Sequence, residues 1–195
     1  MDGVIRFPLE TPRLVIRPME LADAEQLLAV YGDRETMRHL ESELPATVAE
    51  ARAWVQAKVD LFARDDGLSL WTVVERSSGR VAGDVGLQWE DYGWGAPVVG
   101  IGGRGNKAFW RNGFGLEAAL AVLDAGFAQL GLDRIGAETA PANLPAQGLL
   151  RRLGMTRRGQ NPDGWPVFVI SRAEWAARRG AGESGAGGDV VEGEG

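Results

Sequence analysis

The sequence predicts a single mixed α/β domain of the α+β kind. Three features of element order lead there: strand patterns cluster early, a strand–helix–strand–helix unit occupies the middle, and a hairpin pattern closes the chain. Leu14-Val15-Ile16, between Arg13 and Arg17, reads as the first strand, ended by Pro18, which has no N–H to give to a ladder. A helix over roughly 22–31 puts Leu27, Leu28 and Tyr31 on one face. Thr47-Val48-Ala49-Glu50 has the spacing of a capping box, in which hydroxyl and carboxylate satisfy each other's exposed backbone donors. It opens a helix through about Arg64, with Ala51, Trp54, Val55 and Leu61 as the buried stripe.

Leu70–Glu75 and Arg80–Trp89, joined by a turn at Arg76–Gly79, read as a hairpin, and Pro97–Ile101 as a fourth strand. Leu116, Leu120, Leu123, Phe127 and Leu130 recur at three- and four-residue steps and mark the strongest helix, with Gly131 at the C-terminal cap. Arg134–Thr139 follows as a fifth strand and Ala146–Leu153 as a short helix closed by Gly154. Met155–Ser171 is a second hairpin turning at Asn161–Gly164. The domain is drawn over 1–178. Residues 179–195 hold seven glycines and few apolar side chains, and read as a disordered acidic tail.

Composition narrows the chemistry. The 195 residues are long enough to bury a core without disulfide or metal staples. No cysteine is present, which removes thiolate nucleophiles and Cys-ligated metals. The one histidine, His39, rules out a multi-His metal site and argues against a Ser-His-Asp triad; no metal is expected. Net charge is −6, of which the tail contributes −3 (four acids, one arginine), so the body is −3 as well. A mildly acidic body argues against nucleic acid and weakly favours cationic amines as encounter partners. No stretch has the apolar length of a membrane span, and the first residues lack a signal-peptide pattern, so a cytoplasmic location is expected.

The chemistry should lie in residues 97–117, PVVGIGGRGNKAFWRNGFGLE. Gly100–Gly105 formally fits G-x-G-x-x-G, but Asn106–Asn112 intervenes before any helix, which argues against a dinucleotide fold. Asn112-Gly113-Phe114-Gly115 leads straight into the long helix. That is either an anion site of free N–H groups backed by the helix dipole, or merely a tight turn.

These residues resemble the GNAT N-acetyltransferases, and within them the RimJ/RimL-type branch. The match covers about residues 9–178. Leu9-Glu10-Thr11-Pro12-Arg13-Leu14-Val15-Ile16-Arg17-Pro18 is similar to the branch's opening strand. Ile101-Gly102 and Trp110-x-x-Gly113-x-Gly115-x-Glu117-Ala118 are similar to its acetyl-CoA loop and following helix. Leu132–Ile135, Asn143, Leu150, Leu153-Gly154 and Glu174-Trp175 keep the register. The resemblance implies a twisted, mostly antiparallel central sheet flanked by helices and splayed between its fourth and fifth strands. Acetyl-CoA would be the cosubstrate. Its pyrophosphate would rest on Arg111, Asn112, Gly113, Phe114, Gly115 and Leu116, and its pantetheine arm would pair along Gly103, Arg104 and Gly105. Asn143 would touch the arm, and Arg152 matches a basic position near the cofactor. The implied acceptor is a primary amine, either a protein N-terminus or a small molecule, and a homodimer is common among relatives.

The match departs at the acid and base. The family's glutamate position is Gly100, its bulky pair falls on Gly103 and Arg104, and its serine is Ala146. The remaining base candidates, acting through water, are Glu90, Asp91 and Glu138. Tyr92 is a candidate proton donor, and His39, Trp71, Trp89 and Trp94 are candidates for the acceptor pocket. Room beside the glycines at 100–105 suggests tolerance of acyl groups longer than acetyl. Two alternatives stay open: a non-catalytic acyl-CoA-binding or regulatory module on the same fold, and a different nucleotide-binding enzyme.

Overall fold

In the computed structural model the described residues are 3–39 and 44–184. Eight strands form one sheet: β1 (Leu9–Glu10), β2 (Leu14–Pro18), β3 (Ser69–Glu75), β4 (Val81–Glu90), β5 (Val98–Gly105), β6 (Arg134–Glu138), β7 (Thr156–Gln160) and β8 (Pro166–Ser171). Six α-helices flank it: α1 (Ala24–Tyr31), α2 (Arg34–Met37), α3 (Val48–Arg64), α4 (Phe114–Ala128), α5 (Leu144–Arg152) and α6 (Arg172–Ser184). The sheet order is β1-β2-β3-β4-β5-β6-β8-β7. Every pairing is antiparallel except β5 with β6. The mixed, mostly antiparallel sheet flanked by helices is the architecture expected from the sequence.

The sheet has a face for each helix pair. Alternation along β4 and β5 sends Val85, Leu87, Val99 and Ile101 into the large core with α4, where Val122 and Leu123 have no exposed surface. A Cβ on Gly126 would lie 2.7 Å from Ile135 Cδ1, so α4 seats on the sheet through its bare backbone there. The other face carries α1 and α3, packed through Leu27, Val30, Tyr31, Ala51 and Val55 around Leu70 and Val81. Arg17 anchors that layer, its guanidinium gripping buried Asp23 at 2.6 and 2.9 Å while Thr72 donates to the same carboxylate at 2.7 Å.

Thr47 and Glu50 form the capping box of α3 as its spacing predicts. Other boundaries differ for local reasons. β1 is too short to show alternation, and it exists because Leu9 and Glu10 pair with Ile16 and Val15. β5 runs four residues beyond Ile101, since β4 pairs with it as far as Gly105 and glycine's weak strand preference gives way to that ladder. α4 starts two residues early because Gly113 holds the left-handed turn from which Phe114 begins the helix. α5 starts at Leu144 because the Asn143 side chain caps it. α6 continues to Ser184, past the boundary drawn at 178, while residues 185–195 of the expected tail lie outside the described residues.

Candidate active site

The expected splay lies between β5 and β6, the fourth and fifth strands of the sequence reading. These parallel neighbours share one registered pair, Gly100 with Gly136. Beyond it β5 keeps its ladder to β4 alone, so its other edge is open from Ile101 to Gly105. Asn106 N–H bonds Ala82 O at 2.8 Å and Arg104 N–H bonds Asp84 Oδ1 at 2.9 Å, both toward β4. Strand alternation therefore turns the N–H groups of Gly103 and Gly105 outward into the splay. The Gly105 carbonyl is already taken by Trp110 Nε1 at 2.7 Å.

A short connection then leads from β5 to Arg111–Leu116. Arg111 (φ 64°) and Gly113 (φ 78°) both hold left-handed backbone, and Gly113 O accepts the first helical bond, from Glu117 N–H. Among the described residues, none of the N–H groups of Arg111 to Leu116 finds an acceptor. A helix N-terminus with such a run of donors suits a phosphate, which favours the anion-site reading of this turn. The loop is braced from 104 residues away. Glu117, 17% exposed, accepts Thr11 Oγ1 at 2.6 Å, Arg13 N–H at 3.0 Å and Arg13 Nε at 2.6 Å. Arg13 also donates to Asn112 O at 2.9 Å and lies over the Phe114 ring. Thr11 and Arg13 carry the family resemblance in sequence, but their bond to Glu117 has no local signal.

At the apex of the splay, the space beside the glycine that stands for the family's glutamate is filled from the neighbouring strand. A Cβ on Gly100 would collide with the Tyr92 hydroxyl and stand 2.6 Å from Glu90 Cγ, and a Cβ on Gly136 would stand 2.5 Å from the Tyr92 ring. Tyr92, buried with Val98, Val167 and Val169, thus lies across both glycines with the Glu90 side chain beside it. Burial raises the Glu90 pKa above the ordinary carboxylate range, and the nearby Glu138 charge raises it further, against Lys58 and a Gln88 hydrogen bond. Burial also pushes the Tyr92 phenol far up, with Glu90 and Glu138 adding to it, so it stays protonated.

The other expected residues divide. Asp91 is exposed and its Oδ1 accepts Gly93 N–H at 2.8 Å, a turn contact. Glu138 Oε2 accepts Asn161 Nδ2 at 2.8 Å, and its charge acts on Glu90. Asn143 Oδ1 accepts Ala146 N–H at 3.2 Å, and Arg152 is exposed at the end of α5. The Arg104 side chain turns away from the splay edge to the α1/α3 face, 5.9 Å from the Tyr31 ring and 5.7 Å from Trp54. Trp71 is buried in the α4 core, with its Nε1 bonded to Gly67 O, and so does not wall an acceptor pocket. Trp89 and Trp94 are exposed, Trp94 Nε1 donating to Gln160 O at 3.3 Å, and His39 is half-buried just past α2.

The glycine-lined space is smaller than the residue types suggest. Glu90 and Tyr92 fill it at Gly100, and the β4 backbone fills it at Gly103, where a Cβ would lie 2.5 Å from Asp84 O. Gly102 is open. Among the described residues no cluster of His, Asp and Glu could hold a metal ion, and no helix is long and apolar enough to cross a membrane.

Residues 13–156 match the acetyltransferase (GNAT) domain family. The chain is 31% identical over 152 residues to the uncharacterized N-acetyltransferase p20 of Bacillus licheniformis, covering 77% of this chain and 83% of that protein. It is 30% identical over 154 residues to the uncharacterized N-acetyltransferase YoaA of Bacillus subtilis, covering 78% and 85%. Its fold matches a GCN5-related N-acetyltransferase from Brucella melitensis with a TM-score of 0.76 at 22% identity, over 92% of this chain and 85% of that one. A GNAT-family acetyltransferase from Bacillus anthracis matches with a TM-score of 0.70 at 22% identity, over 86% and 99%.

Proposed function

Since this chain belongs to the GNAT family of acetyltransferases, we propose that it transfers an acetyl group from acetyl-CoA to a primary amine, by direct attack of the amine in a ternary complex. The observation that carries this reading is the single β5–β6 pair at Gly100 and Gly136, which opens a strand edge just before a run of free N–H groups. Acetyl-CoA supplies an activated carbonyl and a good leaving group. The chain's own residues supply the rest. The N–H groups of Arg111–Leu116, with the α4 dipole behind them, hold the pyrophosphate. The edge from Gly103 to Gly105 pairs with the pantetheine arm, and an outward N–H there donates to the thioester oxygen. Asn143 and Arg152 complete the proposed cofactor contacts.

Glu90 accepts the amine proton, directly or through one water. Its raised pKa moves it toward the working pH of a general base. Its seat against Gly100 favours catalysis over a binding module, because a carboxylate stands where Gly100 has none. The opening strand Leu9–Pro18 supports placement in the RimJ/RimL-type branch. Protein N-termini and small amines are the acceptor classes, and a cytoplasmic homodimer is part of the same proposal.

The test is a thermal-shift titration with acetyl-CoA, CoA and NAD on wild type and Gly113→Asp, followed by CoA release with amines. A ligand that binds only the folded state raises the melting temperature once its concentration passes the dissociation constant. Stabilisation by both CoA species but not NAD, lost in Gly113→Asp, and CoA release on adding amine are the expected results. Stabilisation without CoA release by any amine would return the binding-module reading.

A further inference from the structure

The α1/α3 face of β4 and β5 carries two cations, Arg104 and Lys58, near the carboxylates of Asp84 and Glu90. Arg104 and Lys58 both approach the Trp54 ring, at 5.7 and 5.0 Å from its centroid, and Tyr31 packs against the same indole at 3.9 Å. The carboxylate in reach of Arg104 is Asp84, which is already engaged: it accepts the Tyr31 O–H and the Arg104 backbone N–H. The guanidinium stays 3.7 Å from Asp84 Oδ1, and Arg104 Nε is buried with no hydrogen-bond partner among the described residues. Lys58 Nζ donates to a neutral acceptor, Gln88 Oε1, at 3.1 Å. Burial lowers the Lys58 pKa and the Arg104 charge lowers it further, and these outweigh the Asp84 and Glu90 charges that raise it. A buried donor without an acceptor is costly, so Arg104 Nε has a hydrogen bond to offer an acceptor that enters the site.

The floor beneath these cations is bare. Gly102 faces Gly86 across the β4–β5 ladder, and a Cβ on Gly102 would meet no atom within 4 Å. Two strand residues, about 7 Å, separate Gly102 from Gly100, where Glu90 sits. A carboxylate that takes a proton thus stands at one end of a short open floor and Arg104 at the other, with Lys58 between them on Gln88, the residue registered opposite Gly100.

We propose that the acceptor is a small amine carrying an anionic group, a carboxylate or a phosphate, which Arg104 and Lys58 hold while the nitrogen lies toward Glu90. This rests on the transferase reading for its chemistry, and it runs against the weak preference for cationic amines that net charge suggests. Guanidinium and ammonium together give charge-assisted bonds to one anionic group, and their like charges repel a second cation.

The test is binding to the CoA-saturated protein, measured calorimetrically for 5-aminopentanoate and 3-aminopropyl phosphate, against neutral 5-aminopentanamide and cationic 1,5-diaminopentane. At least one anionic amine should bind about tenfold or more tightly than the neutral amide and the diamine, the size of one charge-assisted bond. The better of the two identifies the anionic group. Arg104→Met should erase that preference, and Lys58→Met, which leaves Asp84 and its partners in place, should reduce it several-fold. Equal binding of all four compounds, preference for the diamine, no binding, or a preference that survives both variants would each overturn the proposal. Failure of the transferase reading is separate: it shows as absent CoA stabilisation or absent CoA release, whichever amine binds.

Discussion

Gly100 reads as a loss when the sequence is compared with its family, since an acid or base cannot come from a hydrogen. In three dimensions the space is occupied, because Glu90 and Tyr92 reach into it from β4 and the loop after it. Glu90→Gln should therefore lower kcat by about 10²–10³, within the range for loss of a general base, with little change in the KM for acetyl-CoA. The pH profile gives the same residue a second test. As the proposed base, Glu90 must be deprotonated to act and its pKa is raised by burial and by Glu138, so wild-type kcat should fall on acidification at a higher pH than an ordinary glutamate would give. Glu90→Gln should lose that limb. Gly100→Ala adds a Cβ into the Tyr92 hydroxyl and Glu90 Cγ, and it should destabilise the fold by about 1–3 kcal/mol in urea unfolding, the usual cost of overpacking.

At the level of elements, the loop proposed to hold the pyrophosphate is held by a brace. β5 ends, the chain turns through left-handed Arg111 and Gly113, and α4 begins with its donors free. Glu117 in the first turn would repel a phosphate if left alone. Burial opposes its charge, but the bonds from Thr11 and Arg13 prevail and hold its pKa below the usual value, so Arg13 is what neutralises it. Arg13→Ala should leave that carboxylate uncompensated beside the loop. The KM for acetyl-CoA should then rise about 3- to 10-fold, the worth of one charge near a helix terminus, with kcat nearly unchanged. An equal fall in kcat would assign the brace to catalysis instead.

Across the molecule as a whole, stability should depend on pH through two buried aspartates of opposite sign. Burial works against charge on Asp23, yet the Arg17, Glu20 and Thr72 bonds outweigh it and lower its pKa. Its contribution is present above the unfolded value of about 3.9 and is lost as pH falls through the lower folded value. Asp84 is raised, chiefly by burial, so its contribution is present below the unfolded value and is lost as pH rises through the folded one. Asp23→Asn should cost about 2–4 kcal/mol at pH 7, since it takes from partly buried Arg17 its bidentate partner and leaves it the looser Glu20 contact at 3.6 Å, and urea unfolding at pH 7 and pH 3 should show that difference shrinking in acid.

Amphipathic period, capping box and turn glycines made α3, α4, the two hairpins and the α+β class legible in the sequence, because each depends on neighbours a few residues apart. The glycine turn entering α4 was legible too. Glu90 could be named only as one of three acids, and the contacts of Arg13, Lys58 and Arg104 were hidden. The elements and the family thus follow from the chain read in one dimension. Three outcomes needed the folded chain: Glu90 fills the space above Gly100, Arg13 braces a loop far along the sequence, and Arg104 turns from the open edge of β5 to the α1/α3 face. They depend on strand register and on which face of the sheet each side chain takes, and neither is a local property of the chain.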